Sequence, residues 1–279
     1  KMELPWFHKL RIVQLFEADF NSVLKFMGRK LMRHSEIHGI NSEQLYGSRK
    51  KKSAIEALIT LRIMYDMART ERLYMVSLFN DLKGCYDRIR PSLSTITMRR
   101  MGCPKEAIIC QAKALQGMQH ALRTSFGVTE ETFQSDESNR LGGIGQGSGD
   151  GPVCWHSHML PLVDAFEELI PHRAYFSSPD GSIKIEQWLI GFVDDNTIVF
   201  TYKDNQFDPA TVEKLFKMAD EVLDAWQKLV VITGGDIELD KSSISILAWK
   251  KGKRKSIHDG KPPIQAKTHY AISETSRVF

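Results

Sequence analysis

Long apolar runs are missing from this chain of 279 residues. The most apolar stretches, residues 55–64 and 188–193, are too short or too often interrupted by polar side chains to cross a bilayer. No basic-then-apolar leader opens the chain, so no membrane partner is expected. Cysteine is also sparse: Cys85, Cys103, Cys110 and Cys154 are scattered without a CxxC pair. That pattern excludes a secreted disulfide framework and the usual zinc spacings, and it makes a reducing compartment the default. A large excess of charge of one sign is absent as well, with 38 Lys and Arg against 34 Asp and Glu. Basic side chains do cluster at residues 49–52 and 250–255. Either run fits a local field that attracts phosphates, and equally a solvated loop.

What is present is enough to build a core, since 42% of the residues are hydrophobic and 26% charged. The length suits one large domain or two intimately packed subdomains, without internal repeats or an obvious linker. Apolar residues recur at helical spacing over residues 14–34, and Ser53 with Glu56 forms a capping box that opens a second helix. Residues 73–79 read as a buried strand that runs directly into Asn80-Asp81. Pro91 opens a helix that Gly102-Cys103-Pro104 stops; a further helix runs to about residue 120, and residues 122–133 read as two short strands. After Pro152 comes a helix to about residue 170, then strands to residue 202 with turns at Pro179-Asp180-Gly181 and Asp194-Asp195-Asn196. Residues 209–230 form a long amphipathic helix, residues 243–249 a strand, and residues 251–279 a basic tail of low periodicity, expected to be partly disordered.

Three places carry chemistry. In Asp81-Leu82-Lys83-Gly84-Cys85-Tyr86-Asp87 an aspartate ends a strand and an aromatic ring follows five residues later. In Gly191-Phe192-Val193-Asp194-Asp195 two carboxylates stand next to each other in a tight turn, where aspartate is also favoured for its backbone alone. Taken together they imply a cation, because two carboxylates about 4 Å apart repel by roughly 4 kcal/mol at an effective dielectric near 20. Hard oxygen ligands select Mg²⁺, with Mn²⁺ as a substitute, and two such ions suit nucleotidyl transfer by in-line displacement. Between these carboxylates lies Gly142-Gly143-Ile144-Gly145-Gln146-Gly147-Ser148-Gly149-Asp150-Gly151-Pro152. Its glycines let backbone approach a base or sugar, and Gln146 adds an amide; a plain flexible loop has the same composition. It is not a Walker loop, since no Gly-Lys-Ser/Thr follows.

In order and spacing these pieces resemble the reverse transcriptase domain of retroelements, most like the non-LTR retrotransposons. Asp81 to Asp87 resembles motif A, Gly143 to Gly147 with Pro152 motif B, and Phe192-Val193-Asp194-Asp195 motif C. Gly234 with Lys241 resembles motif D, while Arg11-Ile12-Val13-Gln14-Leu15 and Gln44-Leu45-Tyr46-Gly47-Ser48-Arg49 resemble two finger motifs. The resemblance implies an α+β right-hand fold: fingers over residues 1–70, and a palm over 71–250 with a central antiparallel sheet flanked by helices. Finger segments interleave at 90–135, and the thumb is missing or truncated. It further implies Asp81, Asp194 and Asp195 as ligands of two Mg²⁺ ions, with Asp195 the weaker one. Lys241 is implied as proton donor to pyrophosphate, with an ordinary surface lysine as the alternative. Tyr86 takes the position of a gate against the ribose 2′-hydroxyl. Gln146 and Gly147 position nucleotide and template, and Arg11 faces the triphosphate together with the basic run, in which Arg49 and Lys52 are the candidates and Lys50 and Lys51 the alternatives. The implied partners are an RNA template, a DNA primer, dNTPs and downstream domains of a longer polyprotein. The implied location is intracellular, cytoplasmic or nuclear.

Some residues depart from the family pattern. Val193 stands where alanine is usual, a change that a strand tolerates. Ser48 and Lys51 replace Phe and Gly, and Gly149-Asp150-Gly151 replaces a Ser-Pro-rich segment. A chain that starts at Lys1 and continues only about thirty residues past the last palm strand is expected to be an excerpt with weak processivity. His156 and His158 are a poor chelating pair, because positions i and i+2 of a helix diverge by about 200°. Trp155, Phe166 and Trp226 sit on helical faces as core residues. An RNA-dependent RNA polymerase is the nearest rival, though a polar ribose-reading residue is expected there in place of Tyr86. A polymerase-derived scaffold that only binds RNA is the rival from another class, and the intact Asp81, Asp194 and Asp195 argue against it.

Overall fold

A computed structural model describes residues 13–136, 143–178, 180–204, 209–248 and 270–271. The turn at Pro179, the basic run at 250–255 and nearly all of the tail expected at 251–279 therefore lie outside the described residues, as does Arg11. The chain divides into two compact units, residues 1–40 with 86–158, and residues 41–85 with 159–279.

The first unit is mainly helical. Helix α1 spans Ala18–Ile37 and buries Leu24, Gly28, Leu31, Met32 and Ser35, a spacing of three and four that puts one stripe inside. In the second unit α2 (Ala54–Glu71) starts where the capping box placed it: the Ser53 hydroxyl accepts the Glu56 N–H at 3.2 Å. It ends at Arg72 in the left-handed region. Strand β1 (Tyr74–Asp81) follows directly and is buried over its first five residues.

Back in the first unit, Pro91 sits at the first position of α3 (Pro91–Arg100), where its missing N–H costs nothing. Helix α4 (Lys105–Gly117) leads into an exposed hairpin of β2 (Gln119–Thr124) and β3 (Gly127–Gln134). Helix α5 (Gly151–Leu169) begins in this unit and continues into the second.

The second unit is built on one antiparallel sheet. Beyond a small hairpin of β4 (Ala174–Ser177) and β5 (Lys184–Gln187) come β6 (Leu189–Phe192) and β7 (Asp195–Tyr202). Helix α6 (Pro209–Ile232), β8 (Ser243–Leu247) and β9 (Tyr270–Ala271) complete it. The sheet order is β6-β7-β1-β8-β9, so β1, the strand that ends on Asp81, is central. One side of the sheet packs Met64 and Ala68 of α2 against Met75, Ile190 and Val199. Trp226 of α6 meets Phe166 of α5 at 5.0 Å between ring centroids, and Phe166 meets Trp188 edge-on at 5.5 Å. All three rings are essentially sealed from solvent. Such an aromatic cluster contributes about 0.5–1.5 kcal/mol per pair beyond its buried area.

His156 and His158 are both buried within the first unit, and His158 stacks on Trp155 at 5.5 Å. Burial, with the Arg90 charge adding to it, lowers the His158 pKa from 6.5 to about 4. In the window from pH 6.5 down to about 4 the unfolded chain takes a proton that the folded chain refuses. The stability due to the neutral ring is thus complete above the window and is lost as pH falls through it, by at most about 3 kcal/mol. Chemical denaturation of His158→Phe is expected to show a flatter pH profile from 6.5 to 4 than the parent. Superimposable profiles would count against this ring as the acid-sensitive group.

Candidate active site

Antiparallel pairing sets the first part of the site. Residues of β1 and β7 match in register from Tyr74 with Tyr202 to Asp81 with Asp195, so the two aspartates are cross-strand neighbours at the same sheet end. Directly opposed residues of antiparallel strands stand about 4.5–5.5 Å apart at Cα. Asp194 precedes Asp195 in the two-residue hairpin between β6 and β7, where Phe192 pairs with Asp195. Its carbonyl accepts the Leu82 N–H at 3.2 Å and the Asn196 side-chain amide at 3.0 Å. Asn196 is buried at 1% exposure, beside its cross-strand partner Asn80 at 3%.

The turn itself differs from the sequence expectation. Its central residues are Val193 and Asp194, while Asp195 and Asn196 already belong to β7. Val193 is not a strand residue but has φ +58°, the left-handed region that a β-branched side chain rarely enters. Tight antiparallel hairpins require positive φ here, and for valine the strain is of order 1–3 kcal/mol. Gly47 packs against this residue so closely that a Cβ there would fall 2.7 Å from the Val193 nitrogen. The backbone around it is held by Gln44 and Tyr46, whose carbonyl and N–H bond Gly191 at 2.9 and 2.8 Å. The second finger-like segment thus braces the back of the carboxylate turn.

Lys241 completes the cluster. It ends a short 3-10 turn, Leu239–Lys241, and its Nζ lies 2.9 Å from Asp81 Oδ2. The Asp81 carbonyl accepts the Glu238 N–H at 2.8 Å, and the Lys83 N–H donates to the Asp236 carbonyl at 2.9 Å, so residues 236–238 fasten the strand end. Partial burial of the Asp195 carboxyl, then the charges of Asp194 and Asp81, push its pKa above the usual carboxylate range, and Lys241 opposes them.

The donor chemistry fits a hard divalent cation: carboxylate oxygens gathered at one sheet end with mutual repulsion to relieve. Among the described residues, no three His, Cys, Asp or Glu side chains converge into a ready metal cage. The Lys241 ammonium is the cation that Asp81 holds in this structure.

The basic finger residues are otherwise engaged. Arg49 has only 6% of its side chain exposed and donates to the Ser42 and Leu45 carbonyls at 2.8 and 3.2 Å and to Glu43 at 3.1 Å. Lys52 pairs with the same Glu43 at 3.1 Å and lies 4.9 Å over the Tyr46 ring. Hydrogen bonds from Arg49 and then Lys52 hold the Glu43 carboxyl below its ordinary range.

The first unit holds the remaining candidates, Tyr86, Gln146 and Gly147. Tyr86 opens a single 3-10 turn, Tyr86–Arg88, and is half-buried. Its carbonyl accepts the Ile144 N–H at 3.0 Å, and the Gly143 N–H donates to the Ile89 carbonyl at 3.2 Å. These bonds zip the glycine-rich loop onto the segment after Asp81. A Cβ on Gly151 would touch the Tyr86 ring at 3.5 Å, so the ring lies over the start of α5. Gln146 reaches Asp87 Oδ2 with its amide at 3.5 Å. Gly147 has φ +133°, and a Cβ there would run into the Gln14 carbonyl, so no other residue fits. Asp150, which sequence reasoning passed over, is 1% exposed and accepts bonds from the Ser148 hydroxyl and the Gln111 amide; burial raises its pKa.

Residues 7–264 match the family model described as reverse transcriptase (RNA-dependent DNA polymerase). Among solved structures, apo telomerase from Candida tropicalis truncated from its C-terminal domain aligns with TM-score 0.51 at 14% identity, covering 84% of this chain and 42% of that one. Telomerase from Candida tropicalis in complex with a fragment of telomeric RNA aligns with TM-score 0.49 at 15% identity, over 79% of this chain and 33% of that one. The first likeness supports the α+β polymerase fold; the chain spans less than half of either telomerase chain. No curated protein matches the sequence.

Lys241 competes with any cation for Asp81. Replacing it by Lys241→Gln is expected to strengthen apparent Mg²⁺ binding by roughly twofold to fivefold, a modest factor because the ammonium is largely solvated. The check is the rise in Tm on adding Mg²⁺, which should be larger in the variant than in the parent. Equal rises would mean that Lys241 does not guard the carboxylates.

Proposed function

Because this chain belongs to the reverse transcriptase (RNA-dependent DNA polymerase) family, we propose that it is the fingers-and-palm part of an RNA-directed DNA polymerase. It extends a DNA primer with dNTPs opposite an RNA template. The observation that carries the reading is the in-register pairing of Asp81 with Asp195 at a sheet end where Asp194 sits in the adjoining hairpin. The retroelement origin, and the downstream domains of a longer polyprotein, remain part of this proposal on the strength of the sequence motifs.

Asp81 and Asp194 would hold two Mg²⁺ ions, with Asp195 as a weaker ligand. Bound there, divalent cations stabilise the attacking 3′-oxygen and the leaving pyrophosphate oxygen. Lys241, whose ammonium pairs with Asp81 when no metal is bound, would give a proton from Nζ to the departing pyrophosphate. The Tyr86 ring excludes a 2′-hydroxyl and so favours deoxynucleotides. Gln146 and Gly147 present amide and bare backbone to the nucleotide and template.

Arg11, Arg49 and Lys52 are proposed to face the triphosphate. Arg49 can do so only by exchanging the Ser42 and Leu45 carbonyls for phosphate oxygens, and Lys52 by releasing Glu43. The assignment of residues 1–70 to fingers and 71–250 to palm, with finger segments interleaved at 90–135, is proposed on sequence grounds. The compact units group residues 1–40 with 86–158 and residues 41–85 with 159–279.

Primer extension on poly(rA)/oligo(dT) with Mg²⁺ tests the reading. The parent is expected to use dTTP and not UTP, and Asp194→Ala to lose more than about a hundredfold in rate. Tyr86→Ala is expected to admit UTP at least about tenfold better than the parent. Efficient use of UTP by the parent would favour an RNA polymerase. RNA binding with no extension by either nucleotide would favour a scaffold.

A further inference from the structure

The backbone of the glycine-rich loop in the first unit is bonded twice by a side chain that no motif contains. Asn21, in the first turns of α1, donates its amide Nδ2 to the Gly147 carbonyl at 3.2 Å and accepts the Gly149 N–H on Oδ1 at 2.6 Å. The two bonds demand this orientation of the carboxamide, because the flipped group would set N–H against N–H and oxygen against oxygen. The chain is pressed close there: a Cβ on Gly149 would fall 2.7 Å from the Asn21 carbonyl oxygen. Other anchors hold the same loop besides the bonds to Tyr86, Asp87 and Ile89. The Gln14 N–H donates to the Gln146 carbonyl at 2.8 Å, and Asp150 ties Ser148 to Gln111. The Gln14 anchor is backbone, which substitution leaves in place, and Asp150 lies within the loop's own segment. Gln111 and Asp87 also reach the loop from a distance, but they meet the side chains of Asp150 and Gln146, whereas Asn21 bonds the loop backbone itself at residues 147 and 149.

We infer that Asn21 is a positioning residue, whose carboxamide clamps residues 147–149 and thereby sets Gln146 and the Gly147 backbone for the incoming dNTP. This rests on the polymerase reading above and deepens it. Gly147 is held by the clamp and Gln146 adjoins it, so its loss frees the part of the loop proposed to meet the nucleotide; the three carboxylates belong to the other unit. The expected signature is weaker nucleotide binding with the chemical step nearly unchanged.

The test compares the parent with Asn21→Ala, Asn21→Asp and Asn21→Gln. In primer extension, Asn21→Ala is expected to raise KM for dTTP by about fivefold to twentyfold with kcat within about twofold and with Tm and primer–template affinity unchanged. Asn21→Gln keeps donor and acceptor and should recover part of the loss. Asn21→Asp keeps only the acceptor and turns an oxygen toward the Gly147 carbonyl, so it should not. Independently of activity, amide exchange at Gly149 should quicken by roughly tenfold in Asn21→Ala. An unchanged KM for dTTP, unchanged exchange at Gly149, or kcat and Tm falling together without recovery in Asn21→Gln would each overturn the inference. If the parent extends no primer, the polymerase reading fails by itself, and the exchange measurement with a direct dTTP titration still upholds or overturns the clamp.

Discussion

Repulsion among three carboxylates is the constraint on which the second unit is organised. Asp81, Asp194 and Asp195 arrive at one end of the sheet because β1 and β7 are held in a register that leaves no freedom to slide. A shift by one residue would swap the two faces of β1, both of them buried, and set Met75 and Leu78 into parts of the core shaped for their neighbours. The core thus enforces the electrostatic cost. The raised proton affinity of Asp195 and the ammonium of Lys241 on Asp81 are the two local responses to that cost. Both are what a site gives up when a divalent cation takes over the charge.

The strained turn is a second expression of the same constraint. Placing Asp194 at the tip of a two-residue hairpin forces Val193 into the left-handed region, and the neighbouring segment from Gln44 to Gly47 supplies the support that makes this tolerable. Arg49 and Lys52 neutralise Glu43 in that segment. Their charges stabilise the brace, and the triphosphate contact proposed for them requires leaving it. The loop in the first unit follows a different rule, since its backbone is fixed by hydrogen bonds from Gln14, Asn21 and the segment after Asp81. Composition made it look pliable, yet its polar backbone groups are largely engaged.

Much of this was legible in the order of the residues. The capping box at Ser53, proline at the start of α3, the apolar run that delivers Asp81 and the paired aspartates are local signals, and each produced the expected element within a few residues. The motif order then identified the family, because a metal-carboxylate chemistry needs particular residue types at particular strand ends. What chemistry demands of residue identity is written along the chain and can be read there.

Contacts between distant residues were not legible, for the reason that they depend on register and side-chain reach. Nothing local marks Asn21 as the partner of Gly147 and Gly149, Lys241 as the neighbour of Asp81, or Gly47 as the brace behind Val193. Asn196 had one faint signal, a polar residue directly after the aspartate pair, but its burial and its bond to the Asp194 carbonyl follow from the sheet. The turn moved by one residue relative to the expectation because hairpin pairing, not side-chain preference, decided which residue took positive φ. The sequence by itself determined the elements, the family and the acidic residues of the site. Only the tertiary structure decided which cation neutralises them, which backbone bears the strain and which side chain holds the loop, since those are properties of pairs brought together by packing.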